Sequence, residues 1–123
     1  MDSVINNISI VKIYFRYGQQ AKGQTFWHRI WNNNLGYLLL KKAQEKKISQ
    51  AAIFTAKAGY LQGDNITINI SEIPLNRTPV CLELIDTIDK LQSYLADNIF
   101  LLAETNVILI NNESYQLVQS VSA

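Results

Sequence analysis

Pro79-Val80-Cys81-Leu82-Glu83-Leu84-Ile85-Asp86, followed by Thr87-Ile88-Asp89-Lys90-Leu91, is the stretch from which the fold is read. Pro79 to Ile85 is a short apolar run rich in strand formers. Asp86 is placed to cap a helix, with Asp89 in the first turn near the positive end of the helix dipole. Ile88, Leu91, Leu95, Ile99 and Leu102 then recur at helical spacing, while Lys90, Gln92, Ser93 and Asp97 fall elsewhere on the wheel. One segment therefore predicts a strand that runs directly into an amphipathic helix.

Working outward from it, the neighbours repeat the pattern. Downstream, Thr105 to Ile110 sets Val107 and Leu109 against Ile108 and Ile110 and reads as a strand. The tail Asn111 to Ala123 carries at most a short strand at Tyr115 to Val118 before fraying, so 112–123 is expected to be flexible. Upstream, Ile48 to Ala58 reads as a strand, with Ala51, Ile53 and Thr55 on one side and Ala52, Phe54 and Ala56 on the other. Leu35 to Lys47 reads as a helix capped by Asn34. Ile8 to Tyr17, where Val11, Ile13 and Phe15 alternate with Lys12, Tyr14 and Arg16, reads as the first strand. The order β-α-β-β-α-β is the ferredoxin-like split βαβ arrangement, an α+β fold with two helices on one face of an antiparallel sheet. Several of these strands are apolar on both sides. Two helices cover only one face, and the simplest cover for the other is another copy of the chain.

Length and composition bound the rest. The chain has 123 residues, 48% of them hydrophobic, which suits one packed domain over 1–123. Eleven basic residues against ten acidic ones leave no general drive toward nucleic acid or an anionic membrane. No window approaches 18 apolar residues, so no membrane insertion is expected. The start of the chain lacks the basic and apolar regions of a signal peptide, and a cytoplasmic location is the expectation. Cys81, the one cysteine, excludes an internal disulfide framework, and its apolar strand predicts a buried, inert thiol.

The residues also resemble a known family. Lys12-Ile13-Tyr14 with Lys22-Gly23, then Lys41-Lys42-Ala43 with Glu45 and Gly59-Tyr60, then Pro79 to Asp86 with Asn106-Val107-Ile108, are similar to the PII-like signalling proteins. Within that superfamily the chain resembles the branch catalogued as domain of unknown function number 190. It departs in three places. Lys47 stands where the family has a glycine, the glycines Gly59 and Gly63 are spaced more widely, and 25–34 has the look of an aromatic insertion. The resemblance implies a homotrimer, a long signalling loop at about 59–78, and clefts between subunits at the loop root. It implies an adenine nucleotide or small anion as effector, and a membrane transporter or an enzyme as regulated partner.

Candidate site residues follow from both readings. Gly59 and Gly63 let backbone N–H groups approach an anion, Lys57 and Arg77 bracket the loop with positive charge, and Tyr60 lies between them. Glycines at a loop root equally serve simply to allow positive φ. Asp64 and Glu72 are the acids nearest to Arg77. Trp27, Trp31 and Ile68 are the candidate partner contacts, because tryptophan anchors interfaces and isoleucines in a loop need something to fold against. His28 has no second histidine or paired cysteine for a metal site, no Ser-His-Asp spacing exists, and the expectation is a non-enzyme without a cofactor. The rival function is a trimeric scaffold with no small-molecule ligand that docks a partner through the aromatic segment.

Overall fold

The computed structural model describes residues 5–6, 8–19, 34–111 and 116–117. In chain order the elements are β1 (Ile5–Asn6), β2 (Ile8–Arg16), α1 (Leu35–Glu45), β3 (Gln50–Thr55), β4 (Ala58–Gly59), β5 (Thr67–Ile68), β6 (Pro79–Thr87), α2 (Ile88–Asp97), β7 (Asn106–Asn111) and β8 (Gln116–Leu117). Four of them form the main sheet, in the order β3-β6-β2-β7 with every pair antiparallel. The first long strand thus lies inside and the second at an edge, which is the split βαβ topology. β4 pairs with β5 in a small hairpin, and β1 pairs with β8, so two residues of the tail belong to a ladder. The aromatic segment lies outside the described residues apart from Asn34.

Alternation fixes which face is the core. Val11, Ile13 and Phe15 of β2 stand opposite Leu84, Leu82 and Val80 of β6, and all six are buried. Leu35, Leu39 and Ala43 of α1 and Leu91 and Tyr94 of α2 close over them. Leu39 is fully buried, and truncation of such a leucine to alanine costs about 2–5 kcal/mol. The Tyr94 hydroxyl donates to the Leu39 carbonyl at 2.7 Å, tying the two helices together across the core. Burial raises the Tyr94 phenol above its ordinary pKa.

The two helix starts are made differently. Asn34 caps α1 as expected, its side-chain oxygen accepting from the Tyr37 N–H at 3.0 Å. Asp86 does not cap α2. The strand runs on through Thr87, which stands at the N-cap without a side-chain cap bond. Strand alternation turns Asp86 inward, where it is buried and accepts from the Ser49 N–H at 2.8 Å and the Ser49 hydroxyl at 3.0 Å. It fastens the start of β3 to β6 instead. Leu95 is only partly buried, and Ile99 is exposed because the helix ends at Asp97 before reaching it.

The opposite face of the sheet is uncovered by either described helix. Cross-strand rows run Phe54–Cys81–Tyr14–Asn106, Ala52–Glu83–Lys12–Ile108 and Gln50–Ile85–Ile10–Ile110. Phe54 is 55% exposed and Ile108 is 48% exposed. Lys12 and Glu83 form a 4.0 Å ion pair in the middle row. Cys81 lies on this face, so the chain alone does not bury it as the sequence suggested. Its neighbours Val80 and Leu82 point to the core, and period two sends Cys81 the other way.

The end of α1 carries a strained residue. The Lys47 N–H donates to the Gln44 carbonyl and the Ile48 N–H to the Ala43 carbonyl, the paired bonds of a Schellman stop. Lys47 holds φ at 63°, the left-handed region where glycine is usual. We expect Lys47→Gly to raise unfolding stability by about 1 kcal/mol, since the relieved backbone strain exceeds the added chain entropy. Urea denaturation of both proteins measures it, and a less stable glycine variant contradicts it.

Candidate functional site

The segment between β3 and β6 folds back onto its own root. Asn69 is the clasp. Its N–H donates to the Lys57 carbonyl at 2.8 Å and its side-chain amide donates to the Ala56 carbonyl at 2.9 Å. Its side-chain oxygen accepts from the Leu75 N–H at 2.8 Å. Both limbs of the loop are thus bound through one residue. Beyond the clasp, β4 and β5 pair Gly59 with Thr67, and the hairpin tip turns at Leu61 to Asp64, closed by the Asp64 N–H on the Leu61 carbonyl. Gly63 is the third residue of that turn with φ at 89°, a position that needs glycine.

That turn delivers Asp64 to the end of the central strand. One Asp64 oxygen accepts from Arg16 Nε at 2.6 Å, and the other accepts from Arg77 Nη2. The two arginine side chains lie over the carboxylate at the surface and leave its side chain only 3% exposed. Hydrogen bonds from Arg16 first, and then from Arg77, hold the Asp64 carboxyl below the usual carboxylate range. Arg77 itself has φ at 71°, a second left-handed residue without glycine's freedom. It is kept there by its N–H on the Tyr17 carbonyl and by the return bond from the Tyr17 N–H to the Thr78 carbonyl. Gly18, with φ at 85°, makes that approach possible, since a Cβ there would come within 2.8 Å of the Asn76 side-chain oxygen.

Two grooves flank this clasp. The larger, about 710 Å³, is lined by Lys57, Asn69, Ser71 and Glu72 with Ile68 and Ile70. The smaller, about 360 Å³, is lined by Arg16, Gly18, Gln19, Asn76, Arg77 and Glu104. Gln19 braces it, accepting from the Arg16 N–H at 3.1 Å and donating to the Glu104 carbonyl at 3.0 Å.

The residues expected from the sequence divide between these places. Lys57 and Ile68 share the larger groove, and Arg77 lines the smaller one. Gly59 lies in the hairpin ladder, Gly63 makes the turn, and Tyr60 projects at 62% exposure. Trp27 and Trp31 lie outside the described residues. The partner of Arg77 is Asp64 and not Glu72. Sequence reasoning missed Arg16 and Asn69. Arg16 lies 48 positions from Asp64, and only the folding of the hairpin tip onto the end of β2 joins them. Asn69 sits in an alternating Ile-Thr-Ile-Asn-Ile run that marks an extended arm and gives no hint of a clasp. Among the described residues no group of three or more His, Cys, Asp or Glu could hold a metal ion.

The main-sheet topology has known counterparts. A structure described as that of a PII-like signalling protein from Thermus thermophilus is 13% identical, with a TM-score of 0.51 over 93% of this chain and 87% of that one. CutA from Synechococcus elongatus is 11% identical, with a TM-score of 0.50 over 91% of this chain and 84% of that one. At such identities the likeness concerns the fold, and it places the chain in the PII-like, ferredoxin-like fold class. No family model matches the sequence, and no curated protein matches it. No described helix is long and apolar enough to cross a membrane.

The sign of the pH response follows from Asp64. A carboxyl whose folded pKa is depressed holds its contacts above its unfolded pKa and loses them as pH falls through the folded value. We expect an NMR titration of Asp64 to give a midpoint below the ordinary 3.8, with the Arg16 Nε–H signal protected down to that midpoint. A midpoint at or above 3.8 contradicts the two-arginine clasp.

Proposed function

We propose that this chain is a cytoplasmic, homotrimeric PII-like regulator, of the branch numbered 190. In this reading a small ligand binds between subunits at the loop root and sets the state of loop 59–78. The observation that carries the reading is the open sheet face. It presents Ile10, Ile85, Ile108 and Ile110 beside Phe54, with one ion pair among them, and neither described helix covers it. An apolar face of this kind favours burial against other copies of the chain, and closed three-fold packing is one way to bury it. The strand end that carries Arg16 then lies at a subunit boundary, next to the loop.

The ligand-contacting residues we propose are Lys57, Gly59, Tyr60, Gly63 and Arg77, with an adenine nucleotide or a small anion as effector. Lys57 sits in a groove wide enough for a small molecule, and among the described residues no carboxylate is in ion-pair range of it. Ile68, 60% exposed, with Ile66, Ile70 and Ile73 also exposed, supplies an apolar loop surface for a transporter or enzyme partner. We assign Trp27 and Trp31 to the same partner contact. The reading needs no catalysis and no cofactor, because binding alone shifts a loop between two states.

Sedimentation equilibrium of the wild type is expected to give three times the 14.0 kDa chain mass. Ile108→Lys, which puts a charge into the open face, is expected to give a folded species of lower mass. A wild type that sediments as a monomer overturns the trimer and the inter-subunit site with it. A thermal-shift screen with nucleotides and small anions tests the ligand, since saturation at about 100 times Kd adds roughly 2.7 kcal/mol of stability.

A further inference from the structure

Arg16 and Arg77 line the 360 Å³ groove, and both are also bound to Asp64. Each guanidinium carries five N–H donors, and a carboxylate offers only two oxygens. Arg77 is 62% exposed at its side chain, so part of that donor set faces solvent. An anion that simply added itself there would meet Asp64 as a like charge. An anion that took the place of Asp64 would meet both guanidinium groups without that repulsion. Asp64 is also the group that brings the hairpin tip to the end of β2, by a turn that depends on Gly63. Exchange of the carboxylate for an external anion and detachment of the hairpin tip are then the same event.

We infer that Asp64 is an internal stand-in for a phosphate group, and that a phosphate-bearing small molecule binds Arg16 and Arg77 by displacing it and so releases the tip of the 58–68 hairpin. A phosphate suits the exchange better than a carboxylate. It carries more charge near neutral pH and a third oxygen, so it can accept from both guanidinium forks at once. Asn69 keeps the root clasped while the tip lets go, so the change is confined to the hairpin. This deepens the sensor reading, on which it rests for the use made of the loop, by naming the ligand chemistry and the contact it breaks.

Inorganic phosphate is the probe, with chloride at equal ionic strength as control. Two quantities are read, the rate of chymotryptic cleavage after Tyr60 or Leu61 and the phosphate affinity by calorimetry. Wild type, Asp64→Asn and Arg16→Gln are compared. Phosphate is expected to quicken cleavage of the wild type by about 5-fold or more, the low end of a typical coupling. Asp64→Asn is expected to be cut at the quick rate without phosphate. By reciprocity it is also expected to bind phosphate tighter by the same factor. Arg16→Gln is expected to lose phosphate binding, with its tip already loose. Equal phosphate affinity of wild type and Asp64→Asn overturns the exchange, and so does an unchanged cleavage rate in saturated wild type. If phosphate binds neither protein, this inference fails alone, because the sensor reading is still decided by the oligomer mass and by ligands in the Lys57 groove.

Discussion

One antiparallel sheet with apolar side chains on both faces, and two described helices that cover one of them, is the constraint from which the rest follows. α1 and α2 close over the Val11, Ile13, Phe15, Leu82 and Leu84 face and complete a core there. The rows through Ile10, Ile85, Ile108 and Phe54 are left uncovered by the described helices. Lys12 and Glu83 within them form a partly exposed pair, which contributes little to stability by itself but fixes register if water is excluded around it.

The loop root depends on the same sheet. β2 ends at Arg16 and β6 begins at Pro79, which stand opposite one another in the register. The chain entering β6 must therefore pass the end of β2, and Arg77 arrives beside Arg16. Two guanidinium groups brought together by topology need an anion, and the Gly63 turn supplies Asp64. The left-handed backbone at Arg77 is held by bonds to Tyr17 on the far side of the same junction.

The fold was legible in the sequence because it is written in local periodicity. Period two in β2, β3, β6 and β7 and the apolar spacing of α1 and α2 each declare an element, and their order declares the topology. Asn34 was readable as a cap because the cap bond spans only three residues. Asp86 was misread for the same reason. Its partner Ser49 lies 37 positions away, so local pattern favoured a cap where the fold makes a strand-to-strand tie. The site was half legible. Arg77 and Gly63 stand out as charge and glycine at a loop root, but the ion pairs to Asp64 come from β2 as well as from the loop. Cys81 shows how an apolar stretch can mislead, since it was read as buried on both sides when only the Val80 and Leu82 side meets the helices.

Cys81 offers the most direct measurement of the central claim, that the open face is covered in the assembled protein. It is the only cysteine, and it stands in the row with Phe54, Tyr14 and Asn106. Partial burial already pushes its thiol pKa up, against the opposing hydrogen bond with Tyr14, so the comparison is made between proteins at one pH. The rate of reaction with a thiol reagent is measured in native wild type and in native Ile108→Lys. The account predicts slow reaction in the wild type and a rate in the variant that approaches that of the exposed monomer face. Equally fast reaction in the two proteins would contradict it, because the sheet face would then be open to solvent in the wild type as well.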